Sequence, residues 1–356
     1  MATQEGFVTR AFGERDEVML VLLDNMIWPI LALVVVGVLL TVPQTFRNLQ
    51  SIQLLLWSAV PLGLLVLAES LCLLSGHFDL SIGSIAGFSA MFTGMVLGTC
   101  PSCWGITTNP WIGFGLILLV GGLIGVFNGV MIAKVGLNPF LQTLAVLIIF
   151  QGAKTAMQTQ PVTGLPDLYL QPGGSPDVAI GVMLVAFVTF GLVLKYTQFG
   201  QAVYAVGSDE ASAREVGIDA DRLIIAVYTL SGLLSAIAGI MLTGSVGVVP
   251  PLIGEGLVFR AFAGAVIGGI SLFGGRGKIT GALGGVVLIE VIRSALDNSG
   301  AVGATQIQMF NGIVLLVAIL LYSSQAQLRA RILSVGNSPM KMFEAMLRSF
   351  IRARSW

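Results

Sequence analysis

Ile52-Gln53-Leu54-Leu55-Leu56-Trp57-Ser58-Ala59-Val60-Pro61-Leu62-Gly63-Leu64-Leu65-Val66-Leu67-Ala68-Glu69-Ser70-Leu71-Cys72-Leu73-Leu74-Ser75 is a run of 24 residues whose only charge is Glu69. An α-helix rises about 1.5 Å per residue, so about 20 apolar residues cross a hydrocarbon core of about 30 Å. This run is long enough, and nine others accompany it. The ten expected spans are 26–43, 52–75, 80–98, 111–133, 140–157, 178–196, 223–246, 257–272, 279–296 and 307–322. The eighth is short enough to be tilted or partly re-entrant. Composition agrees: 55% of the 356 residues are hydrophobic and 10% charged, with a mean hydropathy of +0.92. Soluble domains carry roughly 25% charged residues, so a soluble chain this poor in charge could not cover its surface. Lipid offers the backbone no hydrogen-bond partner, which leaves helices or closed barrels, and the strand alternation of a barrel is absent. The expected fold is an all-α integral membrane protein of about ten helices.

Orientation follows from lysine and arginine, which concentrate on the cytoplasmic side. An even number of spans puts both termini on one side. With that side cytoplasmic, fourteen of the eighteen basic residues lie inside: Arg10, Arg15, Lys134, Lys195, Arg214, Arg222, Arg276, Lys278, Arg329, Arg331, Lys341, Arg348, Arg352 and Arg354. Arg47 alone falls outside, and the outer loops 99–110, 158–177 and 297–306 hold no lysine or arginine. The expected organisation is a cytoplasmic tail at 1–25, a membrane domain at 26–322 and a basic cytoplasmic tail at 323–356. The first 17 residues mix acidic and basic groups with no cleavage site behind them, so the first apolar segment is expected to remain as an anchor. The outer loop 158–177, rich in proline and glycine, reads as irregular structure.

Glycine recurs every four residues at Gly121, Gly125 and Gly129, at Gly277, Gly281 and Gly285, and at Gly264 and Gly268. That spacing strips a helix face of side chains and lets backbones approach, as in a compact glycine-rich bundle. Cys100 and Cys103 have CxxC spacing without a second pair, which fits either two loop thiols or a disulfide on an oxidising side. His77 is the sole histidine, so histidine metal sites and catalytic triads have no material. No catalytic residue, metal site or cofactor is expected, nor any nucleic-acid partner at zero net charge. A phosphate-binding Walker loop is absent, because Lys278 is followed by Ile279.

Charges inside spans are costly and therefore informative. Glu69, Lys154, Arg260, Glu290 and Arg293 are such charges. Glu290 and Arg293 share a helix face as a local ion pair. Glu69 has no partner nearby in sequence; it faces the interior, meets Lys154 or Arg260, or carries a proton, and it is the residue a proton-coupled secondary transporter would need.

The stretch Phe199-Gly200-Gln201-Ala202-Val203-Tyr204-Ala205-Val206-Gly207-Ser208-Asp209-Glu210-Ala211-Ser212-Ala213-Arg214-Glu215-Val216-Gly217-Ile218-Asp219 joins the sixth and seventh spans. Ser208 or Asp209 is placed to cap a short helix over about 209–216, and Gly217 to end it. It resembles the cytoplasmic coupling segment of ribose-type ABC sugar permeases, at Phe199, Gly200, Tyr204, Ala205, Gly207, Asp209, Ala213, Arg214, Gly217 and Ile218. Three further blocks resemble that family. They are Asn48-Leu49 with Ser75-Gly76-His77-Phe78-Asp79-Leu80-Ser81-Ile82-Gly83-Ser84; Asn138-Pro139-Phe140 with Thr143-Leu144; and Gly268-Gly269 through Gly274-Gly275-Arg276-Gly277 to Gly281. Together they cover about 45–325. His77 stands where a second glycine is usual. Gly256-Leu257-Val258-Phe259-Arg260-Ala261-Phe262 stands where an acidic run is usual, which bears on the substrate if that region lines the path.

The resemblance implies a type II ABC importer-like permease of the prokaryotic inner membrane, carrying a monosaccharide or sugar-like molecule. It implies two cytoplasmic ATP-binding subunits, a second permease copy or paralogue, and an extracytoplasmic solute-binding protein. It makes the segment 199–218, with Gly207, Asp209, Glu210, Ala213, Arg214, Gly217 and Ile218, the ATPase-coupling element. It marks Glu69, Asp79, Ser81, Asn138, Phe140, Thr143 and Arg260 as motif or path residues. Two alternatives stay open: a proton-coupled transporter using Glu69, and an ABC permease for branched-chain amino acids or nucleosides. The topology has a direct test. Single cysteines at positions 165 and 175 are expected to label from outside intact cells, and cysteines at 212 and 340 are not; labelling of all four from one side overturns the ten-span arrangement.

Overall fold

The computed structural model describes residues 25–299 and, beyond them, Met309, Gly312, Ile313, Leu316 and Leu320. The first tail, most of the tenth expected span and the basic tail lie outside the described residues. The described helices are α1 (Ile27–Thr41), α2 (Leu49–Leu74), α3 (Ile82–Leu97), α4 (Pro110–Ala133), α5 (Pro139–Met157), α6 (Asp167–Gly174), α7 (Pro176–Tyr196), α8 (Gln198–Ser208), α9 (Glu210–Glu215), α10 (Ala220–Val246), α11 (Leu257–Ile267) and α12 (Ile279–Ser299). Six of them, α2, α4, α5, α7, α10 and α12, are long and apolar enough to cross a membrane. Nine of the ten expected spans fall on a described helix.

Local chemistry sets the starts. Asn48, Asn109 and Asn138 each turn a side-chain oxygen back onto a first-turn N–H, of Ser51, Trp111 and Phe140 respectively. At Asn109 and Asn138 a proline follows as the first helical residue, where its missing N–H costs nothing. α2 is apolar on all sides and becomes the buried centre. It packs against α10, α11, α12 and α7.

The glycine spacings mark the tightest seams. A Cβ on Gly121 would lie 2.6 Å from the Gly232 carbonyl oxygen, and one on Gly129 would lie 2.7 Å from the Ile225 Cα. A Cβ on Gly125 would meet the backbone of Tyr228 and Thr229. These three glycines seat α4 on α10. Gly281 and Gly285 interlock with Gly268 and Gly264 in the same way, joining α11 to α12. Gly277 is not part of that helical face; it precedes α12 at a φ of 139°, against Ile270.

Two helices are half-length because the chain is irregular inside the bundle. Residues 75–81 do not continue as helix after α2. Asp79 in this segment is fully buried and accepts from Ser231 at 2.8 Å, eleven residues and so about 16 Å along α10. α3 therefore begins in the interior rather than at the membrane boundary. After α10, residues 247–256 descend along α3, with Val249 against Gly94 and the Gly254 carbonyl against Gly83. α11, of 11 residues, starts there and spans only about 16 Å. The eighth expected span is thus a helix of 11 residues, and the third begins two residues later than expected, at Ile82.

One end of the bundle gathers the loop 98–109, α6 and the ends of α10 and α12. Val162 pairs with Val249 in an antiparallel bridge, Trp57 Nε1 donates to the Gly173 carbonyl at 2.7 Å, and Cys100 is disulfide-bonded to Cys103. The expectation of irregular structure across 158–177 is corrected here. α6 forms because Tyr169 is buried beside Gly113 and Phe114, and Gly173 packs directly on Gly244, so packing overrides the breaker signals of Pro172 and the glycines. The glycine seams yield a test within one helix. Adding a buried methyl to a filled interface typically costs about 1–3 kcal/mol, whereas a Cβ on Gly115 meets nothing within 4 Å. Gly125→Ala is expected to lower the thermal midpoint of the purified protein by several degrees, and Gly115→Ala to leave it unchanged or raised; equal midpoints contradict the seam.

Candidate functional site

The opposite end of the bundle brings the expected coupling segment onto two other motif blocks. Gly275 N–H donates to the Leu74 carbonyl at 3.0 Å. Gly207 lies so close to Leu74 and Gly275 that a Cβ there would meet both backbones. Tyr204 donates its hydroxyl to the Gly277 carbonyl at 3.0 Å. Thr143 accepts from Leu80 N–H at 3.1 Å and donates to the Pro139 carbonyl at 2.8 Å, which ties the Asn138–Leu144 block to the Ser75–Ser84 block. Four motifs spread over 200 residues of sequence thus meet at one end.

Within the segment, α8 is an addition that the sequence reading did not anticipate, and α9 is the expected short helix. Asp209 caps α9, accepting from the N–H groups of Ala211 at 3.0 Å and Ser212 at 3.2 Å and from the Ser212 hydroxyl. The Ser212 bonds hold the Asp209 carboxyl below its ordinary pKa. At the other end Ile218 N–H reaches the Ala213 carbonyl and Gly217 N–H the Arg214 carbonyl, the paired closure of a helix ending in a left-handed residue. Gly217 has a φ of 88°. Arg214 bridges Glu210, at 2.8 Å, and Asp221, and these acceptors raise its pKa. Its guanidinium is engaged within the chain, binding α9 to the start of α10. Val216 is left 77% exposed.

The second feature is a cavity of about 500 Å³. Its walls come from the irregular segments and their half-helices: Phe78, Leu80, Gly83 and Ser84; Phe140, Leu144, Leu147, Gln151 and Lys154 of α5; and Ile253, Gly254, Glu255, Gly256, Val258, Phe259 and Phe262. Phe78 stacks on Phe262 with ring centroids 5.9 Å apart. The starts of α3 and α11 face this space without a side-chain cap, and uncapped helix starts present free N–H groups. Lys154, 2% exposed, donates to the Ile253 carbonyl at 3.0 Å and to Glu255 Oε1 at 3.1 Å. The cavity therefore combines apolar and aromatic walls, a few uncharged donors and acceptors, and one charge pair that neutralises itself.

The sequence-derived path residues separate into groups. Phe140 lines the cavity. Asn138 and Thr143 cap and anchor α5 beside it. Asp79 and Ser81 sit behind the cavity in a buried chain of hydrogen bonds: Ser81 and Ser231 donate to Asp79, Asn128 to Ser81, and Gln142 to Asn128. Glu69 is fully buried with neither carboxylate oxygen hydrogen-bonded, and neither Lys154 nor Arg260 pairs with it. Arg260 turns toward Glu290, at 4.0 Å. Sequence reading singled out Lys154 as an intramembrane charge but not Glu255, its partner 101 residues away.

Comparison with known proteins places this architecture. Residues 51–321 match the family described as branched-chain amino acid transport system / permease component. The ribose import permease protein RbsC of Bacillus subtilis is 35% identical over 82% of this chain and 91% of its own. The autoinducer 2 import system permease proteins LsrC of Photorhabdus laumondii and Yersinia pseudotuberculosis are each 31% identical, the first over 73% of this chain and 78% of its own, the second over 72% of each. No solved structure matches the chain. With a multi-helix membrane bundle, interlocked motif blocks and a match over most of its length, the chain belongs to this family of transport-system permease components.

Proposed function

We propose that this chain is the membrane-spanning half of an ATP-driven importer for a monosaccharide or sugar-like solute. ATP is hydrolysed in a pair of separate cytoplasmic subunits that engage α8 and α9. A second permease copy or paralogue completes the path, and an extracytoplasmic binding protein delivers the solute. The observation that carries the reading is the convergence of 199–218 with 75–84 and 268–281 at one end of the bundle: a rigidly capped helix pair with no solute cavity of its own, docked on the backbone that leads to the cavity walls. Both termini lie on that cytoplasmic side in this reading. The lysine and arginine distribution supports it, and so does a disulfide at the far end, where thiols meet oxidising conditions. The divisions at 25 and 322, and the tail 323–356 on the inner side, belong to the same proposal.

The solute passes the cavity between α3, α5 and α11. An aromatic wall takes the apolar face of a sugar ring, Gln151 and Ser84 take hydroxyls, and the closed Lys154–Glu255 pair leaves no net charge to favour an ion. The ribose and autoinducer 2 relatives support this substrate class. Glu69, buried and unpaired, favours proton-coupled transport as a second reading, but that reading gives α8 and α9 nothing to do.

Two measurements test the reading. Arg214→Glu places a third carboxylate beside Glu210 and Asp221, and Gly217→Val forces a branched residue into a left-handed conformation that costs non-glycine residues about 1–2 kcal/mol or more. Both variants are expected to insert normally yet lose co-purification with the ATPase or lose solute-stimulated hydrolysis in vesicles. Wild-type values of both, or uptake that needs Glu69 and no ATP, overturn the proposal. For the path, Ser84→Phe fills the cavity and is expected to cut uptake at least tenfold while ATPase binding persists; unchanged uptake moves the path elsewhere.

A further inference from the structure

A second cavity, of about 280 Å³, lies at the other end of the bundle, between the first half of α2 and the last half of α12. It shares no residue with the cavity described above and has no part in the proposed transport path. Its lining mixes Leu54 and Leu55 with polar and charged side chains, whereas the large cavity is mostly apolar. Glu290, Arg293 and Asp297 of α12 face Ser51 and Ser58 of α2, with Gln44 and Thr45 from the turn before α2.

The charges here are close but incompletely bonded. Glu290 is 1% exposed. Arg293 Nη1 is 3.5 Å and Arg260 Nη1 4.0 Å from its Oε1, and Arg293 Nε is 3.9 Å from Asp297. Glu290 Oε1, Arg260 Nε and Arg293 Nε are buried without a hydrogen bond. Unmade bonds to charged groups are expensive in a low-dielectric interior, and the cavity borders two of these residues, Glu290 and Arg293, whose charges a polar ligand there would meet. One guanidinium, Arg293, and two carboxylates, Glu290 and Asp297, line the cavity, so the complementary ligand carries a hydrogen-bonding cation for the carboxylates and an anion for the arginine. The position narrows it further: Gln44, Thr45 and Ser51 border the start of α2, and Asp297 borders the end of α12, so the cavity opens at the level where a span meets lipid headgroups.

We propose that this cavity seats the phosphoethanolamine headgroup of a membrane phospholipid. Its phosphate takes the Arg293 guanidinium, and its primary ammonium donates to Glu290 and Asp297. A quaternary choline headgroup has no N–H to donate, and a phosphatidylglycerol headgroup brings an unbalanced negative charge.

The test uses the full chain purified in detergent, washed, and analysed for retained lipid by mass spectrometry, then reconstituted in nanodiscs of phosphatidylethanolamine, phosphatidylcholine or phosphatidylglycerol. The expected result is about one retained phosphatidylethanolamine per chain and a higher thermal midpoint in that lipid alone. Arg293→Gln and Asp297→Asn are expected to lose both effects. Ser294→Leu, which fills the cavity without touching a charge, is expected to lose both while remaining monodisperse, so that a folding defect in the charge variants does not decide the outcome. No retained lipid, equal retention or stabilisation by choline or glycerol lipids, or retention undiminished in Ser294→Leu overturns the proposal. Displacement of the lipid by soluble phosphoethanolamine at comparable concentration overturns the lipid as the source.

Discussion

Within a bilayer every backbone N–H and C=O must find a partner in the protein, because lipid supplies none and each unsatisfied group costs several kcal/mol. Unbroken helices meet that demand automatically. Among the described residues the chain departs from it inside its bundle at 75–81 and at 247–256, and side chains from other helices fill the deficit. Tyr228 donates its hydroxyl to the Phe78 carbonyl at 2.6 Å, Thr143 accepts from Leu80 N–H, and Lys154 donates to the Ile253 carbonyl. The residues that look out of place in apolar helices are those that make the broken backbone tolerable. The breaks in turn supply irregular walls to the large cavity, at Phe78 and Leu80 and at Ile253 to Gly256.

Glycine is the second half of the same solution. A non-helical strand of chain can descend beside α3 only if nothing projects between them. Gly83, Gly87 and Gly254 provide that: a Cβ on Gly83 would lie 2.7 Å from the Gly254 carbonyl oxygen. At the cytoplasmic end of the proposed orientation, Gly207 and Gly274 let three backbones meet around Gly76. Close approach thus occurs both inside the motif blocks, at Gly76, Gly207 and Gly274, and outside them, at Gly121, Gly125 and Gly173.

Much of this was legible in the sequence, and what was not has a physical reason. Span positions followed from apolar length, and the asparagine-proline starts of α4 and α5 are local chemistry that needs no tertiary context. The four-residue glycine runs marked the α4–α10 and α11–α12 seams because a bare helix face has few other uses. The Asp209 cap and the Gly217 stop were likewise local. Hydropathy, however, records how apolar a stretch is, not whether its backbone stays helical, so the interior starts of α3 and α11 were hidden inside ordinary apolar runs. Pairings across long separations, such as Lys154 with Glu255 or Asp79 with Ser231, leave no trace in one sequence beyond the oddness of a charge in a span. The two carboxylates that hold Arg214, Glu210 and Asp221, belong to its own chain; the Asp221 pairing depends on how α9 meets α10, which one sequence does not record.

The placement of the two half-helices joins the site to the coupling end. α8 carries Gly207, which rests against Leu74 and Gly275. The first of these leads through 75–81 into α3, and the second follows α11 through 268–278. A displacement of α8 therefore bears on both short helices at once, one through its start and one through its end. Each is a stiff element of no more than 16 residues, and their starts lie side by side on the cavity wall. Packed backbones with no intervening side chains deform little, so a push at the capped segment is carried rather than absorbed. The breaks in α3 and α11 thus do two things with one device: they open a path through the bundle, and they give the coupling end a short mechanical route to it.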